Sequence, residues 1–213
     1  REVLATRKSV GICDVTTLGK IDVQGTDAGA FLDRVYANTF STLAVGKCRY
    51  GLMLREDGMV FDDGTSARLA KDEYVMTTTT ANAVTVFRHL EFCRQVLWPE
   101  MDVQLISTTE AWAQLSVAGP KARTLLERVV DGFDLSNAAF PFMACASLTV
   151  CGGLRARLFR ISFSGELAYE LAVPARFGAA FDDHDVMTMH RQPMRTGQPC
   201  GPGPDNRHTF ARA

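Results

Sequence analysis

The 213-residue chain is short of several things, and each shortage closes off a class of function. No apolar run approaches the roughly 20 residues needed to span a bilayer, so no membrane segment is expected. There is no basic surplus: 23 Lys and Arg stand against 24 Asp and Glu. A duplex-binding surface usually shows one, so nucleic acid is not expected as a partner. Six cysteines are present, but none forms a C-x-x-C pair. They read as buried, reduced thiols of a cytoplasmic protein, and no metal ligand set is expected. No secretory leader precedes the first patterned residues. A start at Arg1 reads as a piece of a longer polypeptide.

Catalytic signatures are missing too. Gly119-Pro120 and Gly152-Gly153 do not make a G-x-G-x-x-G phosphate loop, and no H-E-x-x-H occurs. Ser164 lies in Phe163-Ser164-Gly165, which is not a nucleophile elbow. A Ser–His hydrolase is therefore unsupported.

What is present is an ordinary globular composition, 46% hydrophobic and 22% charged. The length suits one large domain or two small ones. Val10 to Val15 and Gly19 to Gly25 read as short strands. Thr26 is placed to cap a helix over Asp27 to Tyr36, with Phe31, Leu32 and Val35 on its apolar face. Cys48 to Arg55, the turn Glu56-Asp57-Gly58 and Met59 to Phe61 read as a hairpin. Thr65 to Ala70 and Tyr74 to Thr80 form a second strand pair, favoured by the β-branched run Thr77 to Thr80. Ala81 to Trp98 is the longest predicted helix and ends at Pro99. Val103 to Ser107 and Ala111 to Val117 are strands, and Gly119-Pro120 opens another helix. Leu148 to Cys151, Leu154 to Ser162 and Ala168 to Val173 complete the pattern. Strands and helices without regular βαβ alternation predict an α+β fold, with antiparallel and mixed sheets and flanking helices. The patterned domain runs over 1–178, in two subdomains that divide near 100–110. Residues 179–213 lack periodicity, Leu and Ile, and read as an irregular, disordered or frame-shifted tail.

The candidates for chemistry are carboxylates on strands. Asp62 and Asp63 follow the hairpin strand, whose alternation sends them to opposite faces. From spacing alone, a solvated turn pair is the better reading of the two. Glu170 stands between Tyr169 and Leu171 on an apolar strand, where a charge is costly unless paired. An edge-strand glutamate is the alternative there.

An ordered set of motifs adds to this. Asp14-Val15, Gly25-Thr26-Asp27-Ala28, Phe31-Leu32, Gly46, Tyr50, Gly58 through Asp63, Gly119-Pro120, Arg160, Ser164-Gly165-Glu166 and Glu170 occur in that order. The set resembles the aminomethyltransferase family. That family includes the T-protein of the glycine cleavage system and the folate domains of dimethylglycine and sarcosine dehydrogenases and oxidases. The likeness runs from about Val3 to about Phe177. Val10 to Lys20 and Phe87 to Phe92 look most like the alpha subunits of heterotetrameric sarcosine oxidases, in their C-terminal half.

The resemblance implies a tetrahydrofolate site in a T-protein-like fold that lacks its C-terminal barrel. Asp63 matches the family aspartate that contacts the reactive folate nitrogens, ordinary general acid–base work. Glu170 matches the glutamate that holds the pterin edge through paired N–H bonds. Tyr50 matches an aromatic that packs on the cofactor. Phe163 stands where the family often has tyrosine, leaving stacking alone, and Thr78 is the nearest match to a family asparagine. The function implied is capture, as methylene-tetrahydrofolate, of the one-carbon unit released when sarcosine is oxidised at a flavin elsewhere in a hetero-oligomer. FAD, FMN and NAD would then bind outside this segment, and the piece alone would not oxidise sarcosine. The alternatives are a glycine-cleavage aminomethyltransferase and a non-catalytic folate-binding regulator of iron–sulfur cluster maintenance.

Overall fold

A computed structural model describes residues 2–178. The expectation of an irregular tail over 179–213 lies outside the described residues. In chain order the elements are α1 (Glu2–Lys8), β1 (Gly11–Asp14), β2 (Gly19–Gln24), α2 (Ala28–Val35), β3 (Lys47–Leu54), β4 (Val60–Ala70) and β5 (Glu73–Thr78). They continue with α3 (Ala83–Phe92), β6 (Gln104–Ser107), β7 (Trp112–Ala118), α4 (Ala122–Leu126), β8 (Cys145–Val150), β9 (Leu154–Phe159) and β10 (Ala168–Pro174). Among the described residues, no helix is long and apolar enough to cross a membrane.

Among the described residues, ten strands form two five-stranded sheets, ordered β3-β4-β5-β2-β6 and β1-β7-β10-β9-β8. Every registered pairing is antiparallel. The fold is α+β, as the pattern predicts, in the layer order helix, sheet, sheet, helix. The first core lies between α2, α3 and the first sheet. Phe31, Leu32 and Leu90 meet Ile21, Val23, Tyr74 and Met76 there, each 0 or 1% exposed. The second core packs Leu126 and Phe140 on the outer face of the second sheet, against Leu158, Tyr169 and Leu171. Between the sheets sits a smaller cluster of Cys48, Ala67, Cys145, Phe159 and Ala172. All but Phe159 are alanine or cysteine, which lets the sheets approach.

Several expectations are corrected in detail. Thr26 does not cap α2. Asp27 holds the cap position without a side-chain cap bond, while the Thr26 amide and hydroxyl both donate to Asp102 Oδ2 (3.0 and 2.9 Å). Asp102 returns its own amide to Asp27 Oδ2 (2.9 Å), so the helix entry is tied to the start of β6 instead. Gly25 is required beside this clamp: its φ is +130°, and a Cβ would collide with the Asp102 carbonyl. The long helix is regular only to Phe92 and then widens into a π turn over Cys93–Leu97. The helix after Gly119 starts with Lys121 as its cap, so Pro120 lies in the turn before it. An unanticipated helix, α1, precedes β1. Cys13 is exposed, because β1 is an edge strand, whereas Cys48, Cys93, Cys145 and Cys151 are buried.

One ion pair sets how the sheets face each other. Arg157 on β9 gives Nη1 to Asp22 Oδ1 (2.9 Å) and Nη2 to Asp22 Oδ2 (2.7 Å) on β2. Its guanidinium lies 4.4 Å from the Trp112 ring centroid, and Thr108 donates to the same carboxylate (3.1 Å). The side chains are only 12% and 9% exposed. Removing one partner of such a pair leaves an uncompensated buried charge, at a cost of about 3–5 kcal/mol. Arg157→Ala is expected to lose that much in urea unfolding. Arg157→Lys recovers little of it, since an ammonium cannot match both oxygens. The double change Asp22→Leu with Arg157→Met is expected to be milder than either single loss.

Candidate functional site

The site is built from strand alternation. On β4, Ala67 faces the second sheet, so Thr65 and Asp63 face it too. On β3, Cys48 faces it and Tyr50 follows on the same side. Val75 and Thr77 of β5 and Asp22 and Lys20 of β2 complete this wall through their cross-strand registers. The facing wall carries Ala172, which brings Glu170 with it on β10. Gln114 and Ser116 of β7 pair with Ala172 and Glu170 in that order. Asp63 and Glu170 therefore belong to opposite walls of one inter-sheet cleft.

Their spacing follows from register. The Asp22–Arg157 pair sets the row containing Ala67 opposite the row containing Ala172. One step along, the row of Lys20, Thr77, Thr65 and Tyr50 comes opposite Glu170. Asp63 is one further two-residue step, about 7 Å, along β4. β4 is also two strands from β2 in the sheet order, so Asp63 is offset from Glu170 both along and across the sheets.

Asp62 and Asp63 are separated as alternation predicts, although they lie inside β4 rather than after it. The strand continues because each position is accommodated. Asp62, 4% exposed, turns to the helix side and accepts from Thr79 N (3.1 Å), Thr79 Oγ1 (2.6 Å) and Asn82 Nδ2 (3.2 Å). Gly64 lets β5 come close, since a Cβ there would meet the Thr77 carbonyl oxygen. Asp63 accepts a 2.7 Å bond from the Tyr50 hydroxyl. That bond raises the Tyr50 phenol above its ordinary range. Tyr50 is 49% exposed and leaves a ring face at the cleft mouth.

Glu170 is held deeper. Gln114, 1% exposed, donates Nε2 to Glu170 Oε2 at 2.5 Å. Among the described residues Oε1 accepts no hydrogen bond. Burial raises the Glu170 carboxyl above the usual range, opposed by the Gln114 bond and by Lys20. Lys20 itself is 2% exposed and gives Nζ to the carbonyls of Thr16 (2.8 Å) and Leu18 (3.0 Å). Burial lowers its ammonium, opposed by Glu170, Glu110 and Asp14. Both groups thus move in the direction that desolvation dictates, with their mutual attraction as the smaller effect.

Two other sequence candidates are placed elsewhere. Thr78 shares the helix-side face of β5 with Met76 and gives its hydroxyl to the Thr79 carbonyl (3.0 Å); the hydroxyl facing the cleft is that of Thr77. Phe163 is fully exposed and touches neither wall. Its neighbours Ser164 to Leu167 form no regular element. Gln114 and Lys20 went unnoticed in the sequence. Lys20 carried one signal, a charge between Gly19 and Ile21 on a strand buried at five of its six positions. A separate groove of about 930 Å³ lies at the other end of the seam, lined by Leu69, Glu73, Trp112 and Arg157 among others. Neither candidate carboxylate lines it.

Known proteins carry the same arrangement of chain and fold. Residues 1–192 match the family described as the GCVT N-terminal domain. The chain belongs to that family. It is 60% identical over 184 residues to the sarcosine oxidase subunit alpha of Rhizobium meliloti (strain 1021), covering 86% of this chain and 18% of the relative. It is 37% identical over 174 residues to an aminomethyltransferase of Thermus thermophilus, covering 80% of this chain and 46% of the relative. The crystal structure of glycine cleavage system aminomethyltransferase T from Bartonella henselae superposes with a TM-score of 0.74 at 25% identity, over 85% of this chain and 46% of that one. The chain thus spans about a fifth of the oxidase subunit and just under half of the transferases.

Glu170 yields a pH prediction. Its folded-state affinity for a proton exceeds that of the unfolded chain, so its favourable contribution is present below about pH 4 and is lost as pH rises through the raised value. Glutamine does not titrate. The melting temperature of Glu170→Gln minus that of the parent is therefore expected to grow as pH rises from about 4 to 7, followed by circular dichroism.

Proposed function

We propose that this chain is the tetrahydrofolate-binding domain of a sarcosine oxidase alpha subunit, and that it captures the one-carbon unit from demethylation of sarcosine. The observation that carries this reading is the pair of carboxylates, Asp63 and Glu170, on opposite walls of one cleft. The relatives' names add weight: one is an oxidase subunit and the other an aminomethyltransferase.

The donor set fits a reduced pterin. Glu170 has a free Oε1 and an Oε2 held by Gln114, the arrangement needed to accept from an amino-pyrimidine edge. Tyr50 offers an aromatic face on the other sheet, next to Asp63. When bound, tetrahydrofolate supplies the nucleophilic nitrogens that take up the carbon, ending as methylene-tetrahydrofolate. Asp63, at the open end, orients the reacting nitrogen and holds or passes its proton, and the Tyr50 hydroxyl keeps that carboxylate in place. Oxidation of the amine takes place at flavin on other parts of the assembly, with FAD, FMN and NAD held outside this segment. Partner subunits of a hetero-oligomer complete the enzyme, and a cytoplasmic location suits its free thiols. The sarcosine reading is preferred to glycine cleavage because identity is 60% to the oxidase subunit and 37% to the transferase.

In the intact oxidase, Asp63→Asn is expected to lower folate-dependent product formation by about 10²-fold while leaving amine oxidation unchanged. Quench-flow product analysis against oxygen uptake checks this, and equal loss of both rates would overturn the role of Asp63. Calorimetric titration of the 213-residue chain with tetrahydrofolate tests binding directly.

A further inference from the structure

We infer that Lys20 is a specificity-determining residue of this cleft, donating to the 4-oxo group of the pterin whose amino edge Glu170 holds. The inference rests on the folate reading above and adds a discriminating contact to it.

The argument begins with a buried ammonium. Lys20 is 2% exposed on the inner face of β2, in the row opposite Glu170. An ammonium has three protons to place. Two go to the Thr16 and Leu18 carbonyls, at 2.8 and 3.0 Å. Among the described residues nothing accepts the third, and no carboxylate lies within 4.0 Å ion-pair distance of Nζ. Glu170, Glu110 and Asp14 are the anions whose field reaches it, Glu170 most strongly. A charge so placed is costly unless a partner uses it.

A structural purpose does not absorb that third proton. The loop between β1 and β2 is already held by the Val15 amide to the Gln114 carbonyl (2.9 Å), by the Thr16 hydroxyl with the same residue, and by the Thr16 amide to Asp14. Those two Lys20 bonds instead fix Nζ in one position between the sheets. Gln114 does the same for Glu170 from the other side.

The chemistry of the two groups together is specific. Reaching in from facing sheets, the carboxylate offers two acceptors and the ammonium a donor. The 2-amino-4-oxo edge of a pterin presents two donors, N2–H and N3–H, and then an acceptor, O4. The patterns are complementary. A 2,4-diamino pteridine replaces the acceptor by an amino group, and two donors would then meet. A hydrogen bond involving a charged group is worth about 10- to 100-fold in affinity, so discrimination of that size is expected.

The test compares tetrahydrofolate with its 4-amino-4-deoxy analogue by calorimetry, on the parent chain, Lys20→Met and Lys20→Gln. The parent is expected to prefer the 4-oxo ligand by about 10- to 100-fold. Lys20→Met should bring the two affinities to within about threefold, and Lys20→Gln, which keeps a neutral donor, should restore part of the preference. Equal weakening of both ligands in Lys20→Met would mark a merely structural lysine and overturn the inference. If that variant does not fold, the parent decides alone: equal or tighter binding of the 4-amino analogue overturns it. Discrimination lost with tetrahydrofolate still bound sinks only the role of Lys20. No binding of either ligand by the parent sinks the folate reading and this inference with it.

Discussion

The two-oxygen contact between Asp22 and Arg157 is the interaction on which the rest of the arrangement depends. Each sheet has its own helical or loop cover and its own core. The cluster between them is small and made mostly of alanine and cysteine, and such a surface has little shape to define an alignment. A planar guanidinium gripping both oxygens of a carboxylate does define one, because it tolerates neither a slide nor a rotation. Trp112 stacks beneath it and Thr108 takes a further lone pair, so the pair is supported from both sheets. As an energy source a buried ion pair is weak relative to packed hydrocarbon. Its worth here lies in registration.

Registration decides what the cleft contains. The row next to Asp22 and Arg157 could have been apolar, which would have closed the seam with an ordinary core. Instead it holds Lys20 on one wall and Glu170 on the other, with Gln114 beside them. Each of the two charged groups is displaced from its ordinary titration range in the direction burial demands. The protein thus keeps two opposite charges poorly solvated and only partly paired with each other. Groups displaced in this way cluster at functional sites, which is what makes this wall the candidate.

Much of this was legible in the sequence, and the residues show why. The alternation that parts Asp62 from Asp63 is a property of any strand, so it survived an error in where the strand ended. The apolar spacing of Phe31, Leu32 and Val35 located α2, but Thr26 was misread as its cap, because the competing acceptor, Asp102, is 76 residues away. Local sequence cannot reveal a bond of that reach. Lys20 and Gln114 escaped for a related reason: each is ordinary on its own strand and gains meaning only when two sheets are superimposed. Thr78 illustrates the converse: it lies on the helix-side face of β5, and only the adjacent Thr77 faces the other sheet. The resemblance supplied roles for Asp63 and Glu170 that spacing alone left open.

The placement of β1 has a consequence for how the molecule comes into being. Strand β2 joins the first sheet with partners that all lie within residues 19–107, so that sheet can close as soon as β6 has been made. Strand β1, although it comes first, pairs with β7, so that Ile12 waits for Val117. Synthesis runs toward the C-terminus, so β1 must remain unpaired until β7, more than half of the described residues further on, has emerged. Closing so long a loop is entropically slow, and the unpaired strand offers an open edge meanwhile. β1 is only four residues long and carries Asp14 at its end, two features that make a waiting edge a weak template for mispairing. β1 is thus made before the first sheet yet docks after that sheet can close.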